Sequence, residues 1–218
     1  MKILITGGNG QLGTELQHIF QKNGVEYTAA DVQTLDITDA ASVDRYFTEN
    51  KPEIVYHCAA YTAVDPAEEE PGKTIDRKVN VDGTVNVAKA AEKVGALLVY
   101  VSTDYVFDGE KDEEYLENDP KSPLNQYGIT KSEGEDAVQE LVSKYYIVRT
   151  SWVYGEFGKN FVYTMQNLAK DHDALTVVDD QVGRPTWTKT LADFLIYLVE
   201  NKAEYGIYQL SNDGVASW

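Results

Sequence analysis

The sequence predicts an α/β protein built on a doubly wound, mostly parallel β-sheet, and three observations support this prediction. Short apolar runs alternate with helical patterns up to residue 150, a glycine-rich turn follows the first run, and an aspartate follows the second. Alternation of strands and helices places helices on both faces of a parallel sheet. Because ligands of such sheets bind at the carboxyl ends of the strands, the residues after each strand are the candidate functional residues.

The predicted strands and helices alternate regularly up to residue 150 and less regularly after it. Apolar residues at helical spacing, such as Leu12, Leu16 and Phe20, give the first helix one face directed toward the core. The predicted strands cover residues 3–6, 25–30, 54–58, 97–102, 145–150, 175–178 and 206–210. The predicted helices cover residues 11–21, 40–49, 76–94, 131–142, 160–170 and 190–200.

Composition and charge exclude several functional classes. The chain of 218 residues has 19 basic and 36 acidic side chains, a net charge of −17 that disfavours nucleic acid and anionic membranes as partners. Its one cysteine, Cys58, allows no intrachain disulfide, and no apolar run approaches membrane-spanning length. The chain also opens directly on strand-like residues rather than on a leader, so we expect a cytoplasmic protein.

A glycine loop after the first strand predicts a site for a dinucleotide. Gly7, Gly10 and Gly13 are spaced three residues apart between the first strand and the first helix, which allows a tight turn and close approach of a pyrophosphate to the helix N-terminus. Asp31 follows the second strand, where a carboxylate can bind the adenosine ribose hydroxyls. No Arg or Lys lies beside it, which favours NADH, although the sequence leaves NADH and NADPH both open.

These features indicate a Rossmann-type fold with two regions. We expect residues 1–150 to form a dinucleotide-binding domain and residues 151–218 to form mainly a small substrate lobe, with some segments returning to the first domain. Residues 217 and 218 resemble the opening of another element, so the lobe is expected to be truncated at its C-terminal end.

Tyr127 and Lys131 are the candidate acid–base pair, and Thr103 is their candidate partner. Tyr127 and Lys131 are four residues apart and would share one face of a helix. A nearby ammonium lowers the pKa of a phenol toward the working range, and lysine can also bind the nicotinamide ribose. Thr103, at the end of the preceding strand, could bind the carbonyl oxygen that Tyr127 protonates. The set predicts reduction of a ketone by hydride from a nicotinamide.

The order of these motifs resembles the extended branch of the short-chain dehydrogenase/reductase superfamily. Within it, residues 7–13, 59–65, 102–109, 149–155 and 180–186 look like those of the dTDP-4-dehydrorhamnose reductase family. In related sugar-nucleotide dehydratases an Asp-Glu pair follows the hydroxyl residue and performs the elimination. Here Asp104 and Tyr105 follow Thr103, which favours simple reduction. The resemblance implies an NADH- or NADPH-dependent reduction of the 4-keto group of dTDP-4-dehydro-L-rhamnose.

The resemblance also implies the residues of each subsite. The cofactor would contact Gly7, Gly10, Gln11, Leu12, Gly13, Asp31, Asp36, Ile37, Ala59, Ala60, Tyr61, Tyr127 and Lys131. The nucleotide-sugar substrate would contact Thr62, Val64, Thr103, Asp104, Tyr105, Trp152, Asn160 and Arg184. Arg184 could pair with the diphosphate, and Trp152 offers an aromatic face.

Two local features depart from the family pattern or allow a metal. Pro66 stands where the family often has lysine after Val-Asp. Glu68, Glu69 and Glu70 resemble the region where some members bind Mg²⁺ at a dimer interface, so a metal and a homodimer are both open, although carboxylate runs are usually just solvated.

Two other functions remain open from the sequence. A sugar-nucleotide epimerase that retains its NAD would share the glycine loop and consume no cofactor. The regulatory subunit of methionine adenosyltransferase shares the fold without being an enzyme, but a purely binding subunit needs no Thr103, Tyr127 and Lys131 set.

Overall fold

A computed structural model describes all 218 residues, and its centre is a six-stranded parallel sheet. The strand order is β2-β1-β3-β4-β5-β9, and every neighbouring pair is parallel. The six strands are β1 (Ile3–Thr6), β2 (Thr28–Ala30), β3 (Ile54–His57), β4 (Leu97–Thr103), β5 (Tyr145–Thr150) and β9 (Gly206–Gln209). The predicted mostly parallel sheet is therefore confirmed.

Helices cover both faces of this sheet and form two cores. On one face Val87, Ala91 and Tyr100 belong to a buried cluster with the second helix, and on the other Leu16 packs with Leu195. The eight helices are α1 (Gln11–Lys22), α2 (Ala40–Asn50), α3 (Val64–Ala67), α4 (Gly72–Arg77), α5 (Thr84–Val94), α6 (Gln126–Leu141), α7 (Phe161–Asp171) and α8 (Thr188–Glu200). None of them has the length and apolar character needed to cross a membrane.

The strand order reverses direction at β1, and this reversal positions the site. β1 pairs with β2 on one side and with β3 on the other, and the helices that follow β1 and β3, α1 and α5, pack on opposite faces of the sheet. A crevice opens at such a point, outside the carboxyl ends of the strands.

Two predicted helices begin earlier than the sequence indicated. The helix predicted from residue 76 begins at Gly72, and a π-helical turn, Lys78–Gly83, joins α4 to α5. The helix predicted from residue 131 begins at Gln126, because the Asn125 side chain accepts a hydrogen bond from the Gly128 N–H over 2.7 Å and caps it. Tyr127 therefore lies in the first turn of α6.

The region after Trp152 differs most from the prediction. The predicted strand 175–178 is wrong: these residues form no strand, and Leu175, Val177 and Val178 are exposed. A short apolar run makes no ladder without a partner strand. Residues 179–188, where no strand was predicted, contain two short strands. β7 (Val182–Gly183) pairs with β10 (Ala216–Ser217), and β8 (Thr186–Trp187) pairs with β6 (Val153–Tyr154).

Candidate active site

The glycine loop leaves the N-terminus of α1 open to an anion. The cap residue is Gly10, no side chain caps the helix, and its first turn contains no acidic residue. Gly7 has a φ of +68°, and a Cβ there would lie 2.7 Å from the Ala59 nitrogen. A Cβ on Gly13 would lie 2.3 Å from the Gly7 oxygen. Free N–H groups and the positive end of the helix dipole thus face a crevice. This crevice is open because positions 7 and 13 are glycine and carry no side chain.

A cleft of about 320 Å³ lies beside this loop at the carboxyl ends of β1, β2 and β3. It brings together most of the residues that the resemblance assigned to the cofactor: Gly7, Gly10, Asp31, Asp36, Ile37, Ala59, Ala60 and Tyr61. Leu12 does not line it, because its side chain packs into the core with Leu16, which leaves only the Leu12 backbone for a ligand. Gln11 packs against Gly158, and its Oε1 atom is buried without a hydrogen-bond partner.

Asp31 lines the cleft after β2 and is held there by its own turn. Its carboxylate accepts hydrogen bonds from the Gln33 and Thr34 backbone N–H groups over 3.0 and 3.1 Å, and from the Asn9 side chain. The Thr34 backbone N–H is the largest of the contributions that lower the Asp31 pKa. The carboxylate is therefore fixed in its charged form, and a 2′-phosphate would meet a negative charge there.

Thr103, Tyr127 and Asp104 meet at the carboxyl end of β4. The Thr103 hydroxyl donates to the Asp104 carboxylate over 3.0 Å and accepts from the Tyr105 N–H over 3.2 Å. The Tyr105 ring lies edge-on to the Tyr127 ring, with centroids 5.7 Å apart. Burial raises the pKa of Asp104 to about 6. Thr103, the predicted hydroxyl partner, and Tyr127, the predicted acid, are thus neighbours.

The predicted lowering of the Tyr127 pKa is not seen in this structure. Burial of Tyr127 raises its pKa, the Asp104 carboxylate raises it further, and the nearby Thr103 hydroxyl lowers it without offsetting them. The Lys131 ammonium donates instead to the Val101 carbonyl oxygen over 2.7 Å. Burial lowers the pKa of Lys131 itself to about 7. The desolvation of Tyr127 and Lys131 therefore affects their pKa values more than the attraction between ammonium and phenolate on which the prediction rested.

A buried polar network, which was not predicted from the sequence, joins the segments that form this site. Asn80, in the π-helical turn, accepts from the Tyr61 N–H over 2.8 Å and donates to the Tyr61 carbonyl over 3.0 Å. Its amide also donates to Asp76, and the Thr130 hydroxyl donates to the other Asp76 oxygen over 2.8 Å. The network joins the cleft-lining segment to α6. A polar residue inside a helical pattern was the only available signal.

The predicted substrate residues occupy varied environments. Thr62 is exposed, Val64 begins α3, and Trp152 stacks on Trp218 with centroids 3.7 Å apart. Asn160 caps α7 through the Tyr163 N–H and donates to the Gly155 carbonyl, so both ends of its amide are engaged. Arg184 forms an ion pair with Glu114 over 2.7 Å.

The three consecutive glutamates do not converge with other potential metal ligands within one chain. Glu68 accepts from the Gln126 N–H at the start of α6 over 2.7 Å, and Glu70 accepts from the Thr74 hydroxyl over 2.7 Å. No group of three or more potential ligands is assembled anywhere in the structure. Within one chain, Glu68 thus accepts a hydrogen bond at the start of α6 and Glu70 accepts one within its own surface segment.

The fold and the site define a Rossmann-type nicotinamide oxidoreductase of the short-chain dehydrogenase/reductase type. The model of the RmlD substrate binding domain family matches residues 1–218. Curated relatives named dTDP-4-dehydrorhamnose reductase include one from Streptomyces griseus, 45% identical over 99% of this chain and 72% of that protein. Another, from Escherichia coli, is 41% identical over 100% of this chain and 75% of that protein. The chain belongs to the dTDP-4-dehydrorhamnose reductase family.

Solved structures agree with this assignment. A dTDP-4-dehydrorhamnose reductase from Clostridium acetobutylicum superposes with a TM-score of 0.95 at 50% identity, covering 100% of this chain and 76% of that one. The reductase from Bacillus anthracis, solved in complex with NADP, gives 0.94 at 45% identity, with the same coverage. A UDP-glucose 4-epimerase from Thermus thermophilus, with NAD, gives 0.84 at 22% identity and covers 79% of its own length, which shows the fold alone.

Proposed function

We propose that this chain reduces the 4-keto group of dTDP-4-dehydro-L-rhamnose to give dTDP-L-rhamnose, with NADH or NADPH as the reductant. The product is a precursor of cell-surface polysaccharide. Family membership supports the reaction, and the observation that carries it is the contact of the Tyr127 ring with Tyr105, whose backbone N–H donates to the Thr103 hydroxyl at the end of β4. A dehydration would need a second acidic residue beside Asp104, where this chain has Tyr105.

The residues of the cleft fit a dinucleotide. The open N-terminus of α1 offers N–H groups to a pyrophosphate, and Asp31 stands where an adenosine ribose would lie. Ala59 and Ala60 line the opposite side of the cleft with small side chains that leave room for the dinucleotide. The Asn80 side chain holds the Tyr61 backbone in place. The reduced nicotinamide, when bound, supplies hydride to the ketone carbon.

The chain's own residues supply the proton and the orientation. Tyr127 donates its phenolic proton to the ketone oxygen as hydride reaches the carbon, so the carbonyl gains one hydride and one proton and becomes an alcohol. The raised Tyr127 pKa keeps the phenol protonated before this step. The Thr103 hydroxyl binds the same oxygen and orients it, and the Lys131 ammonium stabilises the phenolate left on Tyr127.

The substrate lies above this pair. Asp104 and Tyr105 contact the sugar beside Thr103, with Thr62, Val64, Trp152 and Asn160 completing the pocket for the sugar and nucleotide. Arg184 binds the diphosphate after exchanging its contact with Glu114, since a surface ion pair contributes little stability. Residues 1–150 form the dinucleotide-binding domain, and residues 151–218 form mainly the substrate lobe, with some segments, such as β9, returning to the first domain. We further propose that the chain works in the cytoplasm and as a homodimer.

The test is to supply dTDP-4-dehydro-L-rhamnose with NADH or NADPH and to follow cofactor oxidation and product formation together. Stoichiometric oxidation with formation of dTDP-L-rhamnose supports the proposal. Interconversion of sugars without net oxidation would support an NAD-retaining epimerase. No reaction with either cofactor, accompanied by capture of a methionine adenosyltransferase, would favour the regulatory subunit.

A further inference from the structure

The Lys131 ammonium lies against the face of a buried aromatic ring that the mechanism does not use. Its Nζ atom is 4.1 Å from the centroid of Tyr100, and it donates to the carbonyl oxygen of the next residue, Val101, over 2.7 Å. Lys131 is 2% exposed and Tyr100 is fully buried. Two consecutive residues of β4 therefore fix one ammonium group without a carboxylate in contact with it.

We propose that Tyr100 is a positioning residue for Lys131, whose ring face stabilises the ammonium and holds it at the end of β4. The electrostatic attraction between a cation and a ring face is larger in a desolvated site than at a surface. This inference rests on the proposed function, in which Lys131 must be charged to stabilise the Tyr127 phenolate.

The ring, rather than the hydroxyl, is the part of Tyr100 that acts on Lys131. The hydroxyl reaches only the Lys131 backbone oxygen, over 3.5 Å, which is a weak hydrogen bond at best. A Cβ on Gly134 would lie 2.4 Å from that hydroxyl, so α6 passes close to the ring at a glycine. The Tyr100 side chain therefore extends from β4 to α6, with its ring face against the Lys131 ammonium.

The charged and titratable groups around Lys131 are neutral or already paired, so the Tyr100 ring, which does not change its charge near pH 7, can stabilise the ammonium. Burial is the largest influence on its pKa and lowers it, whereas Glu135 on α6, Cys58 after β3 and Asp76 on α4 raise it. Glu135 is already engaged by Arg149, and Asp76 by Asn80 and Thr130. Burial lowers the pKa of His57 to about 3 and raises that of Cys58 to about 12, so both are neutral near pH 7. Tyr127 is protonated there as well.

The direct test measures the protonation of Lys131 without catalysis. The chain is prepared with isotope-labelled lysine, and the Lys131 signal, assigned by its loss in Lys131→Met, is titrated by nuclear magnetic resonance. Tyr100→Phe keeps the ring and is the matched control for Tyr100→Leu, which keeps the apolar volume but removes the ring face. We expect Tyr100→Phe to titrate like the unaltered chain and Tyr100→Leu to titrate about one pH unit lower, which is about tenfold in proton affinity.

A second series guards against misfolding of the leucine variant. Phenylalanine and its monofluoro, difluoro and trifluoro derivatives at position 100 keep the shape of the ring while weakening its negative face. The Lys131 titration should move stepwise to lower pH with each fluorine. If Lys131 titrates at the same pH in every member of the series and in Tyr100→Leu, the inference is overturned. If the titration moves but Lys131→Met still reduces the sugar nucleotide at full rate, the catalytic role of Lys131 fails, and the contact with Tyr100 stands alone.

Discussion

The Lys131 ammonium donates a hydrogen bond over 2.7 Å to the carbonyl oxygen of Val101, two residues before Thr103 on the same strand. This bond ties α6 to the carboxyl end of β4. Because Tyr127 lies one helical turn before Lys131, the same tie holds the phenol beside the Thr103 hydroxyl. In the proposed mechanism, the pair therefore depends first on position, and its electrostatic coupling develops only when charge appears on Tyr127.

Replacement of Tyr127 by phenylalanine should remove the proton donor while leaving the cleft intact. We expect kcat to fall by about 10² to 10⁴, the usual contribution of a general acid, with the cofactor dissociation constant within about threefold. Turnover measured with dTDP-4-dehydro-L-rhamnose and cofactor binding followed by fluorescence give the two values. Retained turnover in a folded Tyr127→Phe variant would show that another group donates the proton.

The pH dependence of the reaction should report Lys131. Its folded pKa is about 7, below the usual value for lysine, so the ammonium is present below that pH and is lost as pH rises through it. In the proposed mechanism the ammonium stabilises the phenolate, so kcat/KM should decline above about pH 7. A rate that stays constant up to about pH 9 would contradict this dependence on Lys131.

Asp31 should set the preference between the two cofactors. Its carboxylate, held charged by Gln33, Thr34 and Asn9, would repel a 2′-phosphate. Asp31→Asn can keep the acceptor that the turn needs while removing the charge, so we expect the NADPH KM to fall about tenfold relative to that of NADH. Asn9→Ser serves as the matched control, since it removes the contact but not the charge. An unchanged ratio in Asp31→Asn would exclude charge repulsion as the discriminating factor.

The sequence predicted the sheet, the glycine loop and the Thr103, Tyr127 and Lys131 set because each depends on local pattern and order along the chain. The polar network of Asn80 could not be predicted, since its partners come from segments far apart in sequence. The desolvation of Tyr127 and Lys131 was missed for the same reason, because burial is a property of the packed fold. The failed strand 175–178 shows that an apolar run alone does not specify a partner.

Asn80 should stabilise both the fold and the cofactor cleft. It is 1% exposed and satisfies both polar groups of the Tyr61 backbone. Asn80→Ala would leave them and Asp76 without that partner, so we expect a loss of about 1–3 kcal/mol in the free energy of unfolding and weaker cofactor binding. Denaturant titration and cofactor affinity measure the two effects. Thr74→Ala, on the exposed face of α4, is a control that should change neither.

The buried ion pair between Arg149 and Glu135 joins β5 to the C-terminal half of α6. The guanidinium donates to both carboxylate oxygens over 2.9 and 2.8 Å, and both side chains are almost inaccessible. Arg149→Leu leaves the Glu135 charge buried with only the more distant Lys121, 3.7 Å away, so we expect a loss of about 3–5 kcal/mol in the free energy of unfolding. The double variant Arg149→Leu with Glu135→Met removes both charges and should recover most of this loss. If the double variant is as unstable as Arg149→Leu, the packing of the arginine, rather than an uncompensated charge, explains the loss.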